Sequence, residues 1–379
     1  MPAASWSAHF NNSLQRIEAH QRLRARRVVD LRDAIDFGSN DYLGLRSHAE
    51  VLAALNCSAE EVAWGAGASP VLSGYSRAQA TLEDALAQFS QADSALVFSS
   101  GYACNVGTVA CLANPGDLIL SDQLNHASLI DGCRLSKATT IVYPHGDVAF
   151  ARDALHRQRR QYGKVMLLTE SIFSMDGDAA PLVELADLAE QFDCGLVVDE
   201  AHAVGVYGQT GSGLLEELGL QARVLAKLGT LSKAIGCVGG YVVGEQNLIE
   251  YVVNHCRSFM FSTAAPARSL RAAEKALALL CNMHQSRLAL RQRARDLRAA
   301  LRQLGWLVPC GDSPIIPVVV GSEQDALQLQ QHLWASGIYV PAIRPPTVPA
   351  DTCRLRISLS TRHTPEECQR LVAALGPRH

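Results

Sequence analysis

The chain has 379 residues, 48% of them apolar and 19% charged, with 34 Lys and Arg against 37 Asp and Glu, a formal net charge of −3. This globular composition excludes a disordered or collagen-like chain, and the balanced charge leaves no global basic field to hold nucleic acid or an anionic membrane. At roughly 100–200 residues per domain the length corresponds to two or three structural units, and no apolar run approaches the ~20 residues of a membrane-spanning helix.

The elements follow in chain order. Residues 1–46 read as a helical arm and a connecting strand. Within it Arg22, Arg24, Arg26 and Arg27 form an arginine cluster of the kind found in transit peptides, but Glu18, Asp30 and Asp33 interrupt the charge. Residues 47–282 alternate short apolar runs with helical patterns. The predicted strands are Ala95–Phe98, Leu118–Leu120, Thr140–Tyr143, Val165–Thr169, Leu196–Val198, Val224–Leu228 and Gly240–Val243. Several are solidly apolar, as expected of strands covered on both faces. Leu182, Leu185, Leu188, Ala189 and Phe192 fall at helical spacing just after Pro181, where a helix can start. This alternation predicts an α/β domain with a largely parallel sheet. Residues 283–379 predict a smaller α+β domain: a helix from Ser286 to Leu304, a strand Ile315–Val320, a helix Gln324–Ala335, a short extended segment Ile338–Pro341, a strand Arg354–Leu359 and a helix Pro365–Leu375. The 11 cysteines are odd in number and lack a C-x-x-C pair, which points to reduced thiols in a cytoplasmic protein instead of a disulfide framework or a zinc site.

The candidate chemistry starts at Lys233, in Gly229-Thr-Leu-Ser-Lys-Ala-Ile-Gly236 after a predicted strand. A lysine in a pocket beside another cationic group can lose its proton and form a Schiff base; taken alone, it reads first as a surface lysine closing a strand. Asp199 ends the apolar strand Gly195-Leu-Val-Val-Asp199. A carboxylate at that end points into the crevice where α/β sheets bind ligands and can hold a pyridinium nitrogen, or it can simply cap the next element. His202, three residues on, can meet a phenolic oxygen. Phe98-Ser-Ser-Gly-Tyr-Ala-Cys-Asn105 runs from a strand into a helix start of the kind that binds phosphate. His126 follows another strand end, where its ring can stack on a flat heterocycle, and Ser174 lies in an acidic segment too irregular for a calcium loop. Gly65-Ala-Gly67-Ala-Ser-Pro70 lacks the third glycine of a dinucleotide loop, and there is no Walker loop, G-x-S-x-G elbow, H-E-x-x-H or metal-ligand histidine spacing.

A phosphate turn, a ring-stacking histidine, a strand-end aspartate and a lysine, in that order, resemble the fold-type-I pyridoxal 5'-phosphate (PLP) enzymes. Asn40-Asp-Tyr-Leu-Gly44, Thr169-Glu-Ser-Ile-Phe-Ser-Met-Asp-Gly-Asp178, Val198-Asp-Glu-Ala-His202 and Gly229-Thr-Leu-Ser-Lys233 narrow the resemblance to the α-oxoamine synthase family, from about Leu14 to Leu375. The resemblance implies a transferase with a large, mostly parallel PLP-binding domain and a smaller C-terminal domain. It implies that Lys233 carries the cofactor and moves the substrate Cα proton, that Asp199 pairs with the pyridine nitrogen, and that His126 stacks on the ring. It places His202 and Ser174 near the ring hydroxyl and Gly101, Tyr102 and Thr230 at the phosphate. Ser262 and Thr263 would reach the phosphate across a symmetric homodimer. Arg356 would grip the amino acid carboxylate near Asn40, while Arg24, Arg344 and Thr347 would lie near the acyl substrate.

Ala342-Ile-Arg-Pro-Pro-Thr-Val-Pro349 with Arg354-Leu-Arg-Ile-Ser358 is similar to the branch of the family that condenses L-alanine with a pimeloyl thioester in biotin biosynthesis, releasing carbon dioxide and the thiol. The thioester carrier is left open between coenzyme A and acyl carrier protein. The alternatives are a glycine- or serine-using member of the family, a non-catalytic partner subunit and an aminotransferase. The pattern departs from the family at Gln79, where a histidine is usual, at Ala66, Ala68 and Pro70, and in the short segment between Arg27 and Asp36. Gln79 and the 66–70 stretch are expected on the acyl-carrier side.

Overall fold

The computed structural model describes residues 4–26, 28, 29, 31, 33–56 and 63–378; Arg27 and Asp30 of the arginine cluster lie outside the described residues. The chain divides into two compact units. One comprises Met1–Ser39, Met175–Gly177 and Arg291–His379, the other Asn40–Ser174 and Asp178–Leu290.

The smaller unit holds strand β1 (Ile35–Asp36). The larger unit is built on β2 (Ser94–Phe98), β3 (Leu118–Asp122), β4 (Thr139–Tyr143), β5 (Val165–Glu170), β6 (Gly195–Asp199), β7 (Ala226–Thr230) and β8 (Gly240–Gly244). These form one sheet in the order β2-β8-β7-β6-β5-β3-β4. All seven predicted strands are present. The sixth needs one correction of its start: the strand expected from Val224 begins at Ala226, because residues 221–223 form a 3-10 turn and Leu225 is 42% exposed. β8 runs antiparallel to both β2 and β7, and the other pairings are parallel. Six strands therefore point the same way and end on one edge at Phe98, Asp122, Tyr143, Glu170, Asp199 and Thr230.

The solid apolar runs explain this sheet. All six residues of β5 are buried, and Ile119, Leu168, Val197, Leu228 and Val242 are fully buried in a core shared with Val109, Leu129 and Val252 from the covering helices. Each large apolar side chain so buried stabilises the fold by ~1.5–3 kcal/mol before entropy is counted. A covered sheet cannot leave strand-end polar groups in water except at its edges, so the carboxyl edge is where chemistry can collect. The side chain of Gln79 is internal: it is 2% exposed and donates to Glu83 Oε1 at 3.0 Å. Glu83 also accepts the Val97 N–H at 2.9 Å and the Tyr75 hydroxyl at 2.7 Å.

In the smaller unit, β9 (Ile315–Gly321), β11 (Ala342–Ile343) and β12 (Cys353–Ser358) form an antiparallel sheet in the order β11-β12-β9, while β1 pairs in parallel with β10 (Ile338–Tyr339). The helix Pro365–Leu375 starts as the sequence predicts. Pro365 occupies its first turn, and Thr364 and Glu367 form a reciprocal capping box. In β12, Leu355 and Ile357 alternate with Arg354 and Arg356, so the two arginines share the opposite face of the strand. Both are buried, and Arg354 is ion-paired with Asp176.

Candidate active site

At the carboxyl edge of the large sheet, β2 leads into the helix Gly101–Leu112. Ser100 caps it, its hydroxyl accepting the Ala103 N–H at 3.1 Å. The N–H groups of Gly101 and Tyr102 have no partner within the helix, as in any first turn, and suit an anion. Register brings Thr230 to the same place: Phe98 and Thr230 both pair with Gly240. A Cβ on Gly101 would stand 3.1 Å from Thr230 Oγ1, and one on Gly240 would stand 2.5 Å from Gly101 Cα. Glycine at these positions keeps open a cradle that a side chain would fill. Thr230 Oγ1 lies 2.8 Å from Ser232 Oγ, an exposed hydroxyl at the same turn. The Tyr102 hydroxyl is taken by Asp131, so its backbone is what it offers an anion.

Asp199 ends β6 and is 4% exposed. Its Oδ2 accepts Asn105 Nδ2 at 2.7 Å and its Oδ1 accepts the Ala201 N–H at 2.8 Å. Asn105 Nδ2 also donates to Ser128 Oγ at 3.0 Å, and Ser128 Oγ lies 2.7 Å from His126 Nδ1. Burial holds His126 below the ordinary histidine range; Asp199 opposes this and the Lys233 charge adds to it. The ring is therefore neutral at pH 7, apolar enough to stack.

Lys233 follows β7, half-buried, with its carbonyl accepting the Gly236 N–H at 2.9 Å. Its charge acts on both His126 and Glu170. Glu170, which ends β5 in register with Asp199, is buried and pushed up to about 8, first by burial and then by Asp199. The backbone N–H of His126 opposes that rise by favouring the ionised carboxylate. His202 is 4% exposed, and its Nδ1 lies 2.6 Å from the Tyr42 hydroxyl. With the phenol donating, the imidazole proton sits on Nε2. Ser174 is half-buried, four residues past the end of β5. Asn40 lies beside Tyr42, whose hydroxyl is 3.4 Å from Asn40 Oδ1.

The larger unit thus gathers Gly101, Tyr102, His126, Asp199, His202, Thr230 and Lys233 at one edge of its sheet. Ser262 and Thr263 sit on a separate turn. There Met260 O accepts the Ser69 hydroxyl at 2.7 Å and the Ala264 N–H donates to Ala68 O at 3.0 Å. The other candidates belong to the smaller unit. Arg24 Nη2 donates to Thr347 Oγ1 at 3.1 Å, and Arg344 is close enough to Arg24 that burial and this like charge together hold it below the usual arginine range. Arg344 also reaches the Gln21 carbonyl. Arg356 is 5% exposed, and its N–H donates to Pro341 O at 3.0 Å.

Sequence reasoning assigned no role to Asn105, Ser128, Tyr42 or Glu170, although each stands inside or next to a motif it quoted. The spacing of Asn105, one helical turn after Gly101, was the available signal.

The donor set fits a phosphorylated pyridine aldehyde. It offers a helix start with an open glycine cradle for phosphate, a carboxylate for a ring nitrogen, a neutral imidazole for a ring face and a lysine for an aldehyde. The family model of class I and II aminotransferases matches residues 32–375. An 8-amino-7-oxononanoate synthase of Burkholderia mallei is 44% identical, covering 97% of both chains. Among solved structures, a serine palmitoyltransferase of Sphingomonas wittichii has a TM-score of 0.90 at 29% identity, covering 99% of this chain and 97% of that one. The 8-amino-7-oxononanoate synthase of Francisella tularensis has a TM-score of 0.78 at 28% identity, covering 90% and 96%. The chain belongs to the class I and II aminotransferase family, and within it to the α-oxoamine synthases, fold-type-I enzymes that use PLP. Its relatives in that family include the 8-amino-7-oxononanoate synthases.

Proposed function

We propose that the protein condenses L-alanine with a pimeloyl thioester to give 8-amino-7-oxononanoate, carbon dioxide and the free thiol. The observation that carries the choice of acyl group is the cluster of Arg24, Arg344 and Thr347. Two neighbouring guanidinium groups and a hydroxyl suit a carboxylate at the far end of an acyl chain. A pimeloyl chain has one and a palmitoyl chain does not. The relatives named 8-amino-7-oxononanoate synthase support the same choice.

When bound, the cofactor supplies an electron-withdrawing ring that stabilises negative charge on the substrate carbon beside the amino group. Lys233 would hold the cofactor covalently, and the backbone of Gly101 and Tyr102 with the Thr230 hydroxyl would hold its phosphate. Asp199 would keep a proton on the ring nitrogen, and the neutral His126 ring would pack on the cofactor ring. His202 Nε2 and Ser174 serve the ring hydroxyl. Arg356 would bind the alanine carboxylate, a charged contact worth roughly 1.5–3 kcal/mol. Freed on alanine binding, Lys233 Nζ takes the Cα proton and later returns one to the product carbon.

The working form is a symmetric homodimer in which Ser262 and Thr263 reach the other subunit's phosphate. Apolar surface supports this: Trp64, Leu72 and Phe261 of the larger unit are 88%, 79% and 68% exposed. We place the protein in the cytoplasm, on the cysteine argument; among the described residues no helix is long and apolar enough to cross a membrane. Acyl carrier protein and coenzyme A are both candidate carriers.

Mass spectrometry of products from alanine, glycine or serine with pimeloyl-CoA or palmitoyl-CoA tests the assignment. Alanine with pimeloyl-CoA should dominate. The TM-score of 0.90 to a serine palmitoyltransferase favours serine with a long-chain thioester as the second reading. Preference for that pair, or pyruvate formed without thioester loss, would overturn the first.

A further inference from the structure

The hydrogen bonds between Asp199 and His126 have only one consistent direction. Asp199 Oδ2 accepts at 2.7 Å from the Asn105 side chain. A carboxylate repels an amide oxygen, so the group facing it is the NH2. The same nitrogen donates its second hydrogen to Ser128 Oγ at 3.0 Å. Ser128 Oγ, already accepting, turns its own hydrogen to His126 Nδ1 at 2.7 Å, and the Ser128 N–H points at the same nitrogen from 3.2 Å. Nδ1 is therefore an acceptor, and the ring proton stands on Nε2. Asn105 and Ser128 are 5% and 0% exposed, so water does not substitute for these bonds. Asn105 also lies one turn into the helix that begins at Gly101, so one rigid element carries both the anion-binding turn and the Asp199 support.

We propose that Asn105 is a positioning residue. It aims the Asp199 carboxylate at the cofactor's ring nitrogen and, through Ser128, sets the orientation and proton position of the His126 ring. This rests on the reading that Asp199 and His126 face the cofactor. Among titratable groups, His126, Glu170, Cys104 and Tyr241 also feel the Asp199 charge, but Asn105 donates directly to its Oδ2.

The test is a double-mutant cycle on the affinity of apoprotein for PLP, measured by equilibrium titration, with thermal melting of each apoprotein alongside. Asn105→Ala should weaken PLP binding roughly 10- to 100-fold, the loss of a charged hydrogen bond, and Asp199→Ala should weaken it at least as much. The double variant should bind within about threefold of Asp199→Ala, because Asn105 acts through Asp199. A residue that only supports the fold would lower the melting temperature while leaving the cycle uncoupled. Should Asn105→Ala not fold, Asn105→Asp keeps the side-chain shape and replaces the donor by a like charge, and the same loss is expected. Unchanged affinity in the Asn105 variants, or losses that multiply in the double variant, would overturn the proposal. Unchanged affinity in Asp199→Ala would overturn the site reading beneath it.

Discussion

Lys227 lies in β7 and is 3% exposed. Its Nζ donates to Ser212 O at 2.5 Å and Ser212 Oγ at 2.7 Å, and stands 3.6 Å from Glu200 Oε2. Glu200 is fully buried, and its Oε1 accepts the N–H groups of Leu214 at 2.7 Å and Leu215 at 3.0 Å. At 3.6 Å the two charges attract without a hydrogen bond between them, so each is held mainly by other partners. Lys227→Met fills similar volume but leaves Glu200 buried without its counter-charge. Breaking a buried pair on one side costs roughly 3–5 kcal/mol. Removing both charges, Lys227→Met with Glu200→Gln, leaves an amide oxygen for Leu214 and Leu215 and should recover most of that loss, since whole-pair replacement is often near neutral. Urea unfolding followed by circular dichroism at pH 8 measures both. Burial raises the Glu200 carboxyl above its ordinary range, opposed by Lys227. A group raised in the folded state contributes stability that is lost as pH rises, so the single variant should be less impaired at pH 5 than at pH 8. A single variant within about 1 kcal/mol of the parent at pH 8, or a double variant no better than the single, would refute the reasoning.

Lys233→Ala should abolish thioester-dependent turnover while leaving the unfolding midpoint nearly unchanged; full turnover in that variant would remove the lysine from the mechanism. Arg356→Ala should raise the KM for alanine, and a change confined to the thioester KM in steady-state kinetics would show that its assignment is wrong. His145 is pushed up to about 10 by hydrogen bonds to Asp122 at 2.9 Å and Asp178 at 2.7 Å. Its clamp contributes fully below pH ~6.5 and is lost as pH rises through about 10. His145→Gln should therefore cost about 2 kcal/mol at pH 6, progressively less as pH rises from ~6.5 towards about 10, and little beyond it, as unfolding curves across that range will report. Glu170, raised to about 8, favours the folded state below pH ~4.5 and loses that advantage as pH rises through 8. Glu170→Gln should match the parent near pH 4.5 and melt higher than it at pH 9; equal differences at both pH values would contradict the neutral carboxyl.

Much of the fold was legible because burial on both faces leaves a local signature. The solid apolar runs of β3, β5 and β6 and the capped helix Pro365–Leu375 announce themselves within a few residues. The motif residues Lys233, Asp199, His126 and Gly101 were legible for a similar reason: each terminates or follows a strand, and strand ends are local. Val224 misled because apolar character alone does not say where a strand begins once a 3-10 turn intervenes. The Gln79 contact was not legible, because a helix position reads as polar whether it faces water or a buried carboxyl.

By itself the sequence determined the element types, the strand-end placement of the chemical groups and the capping of individual helices, all of which follow from side-chain periodicity over short spans. Pairing was decided only in three dimensions. The reversal of β8 between β2 and β7 lines up Phe98, Gly240 and Thr230, and nothing local encodes that partner choice. Asn105 meets Asp199 across 94 residues and Tyr42 meets His202 across 160. Hydrophobic periodicity tells each segment which face to bury, whereas a buried donor finds its acceptor only after the whole core has closed around both.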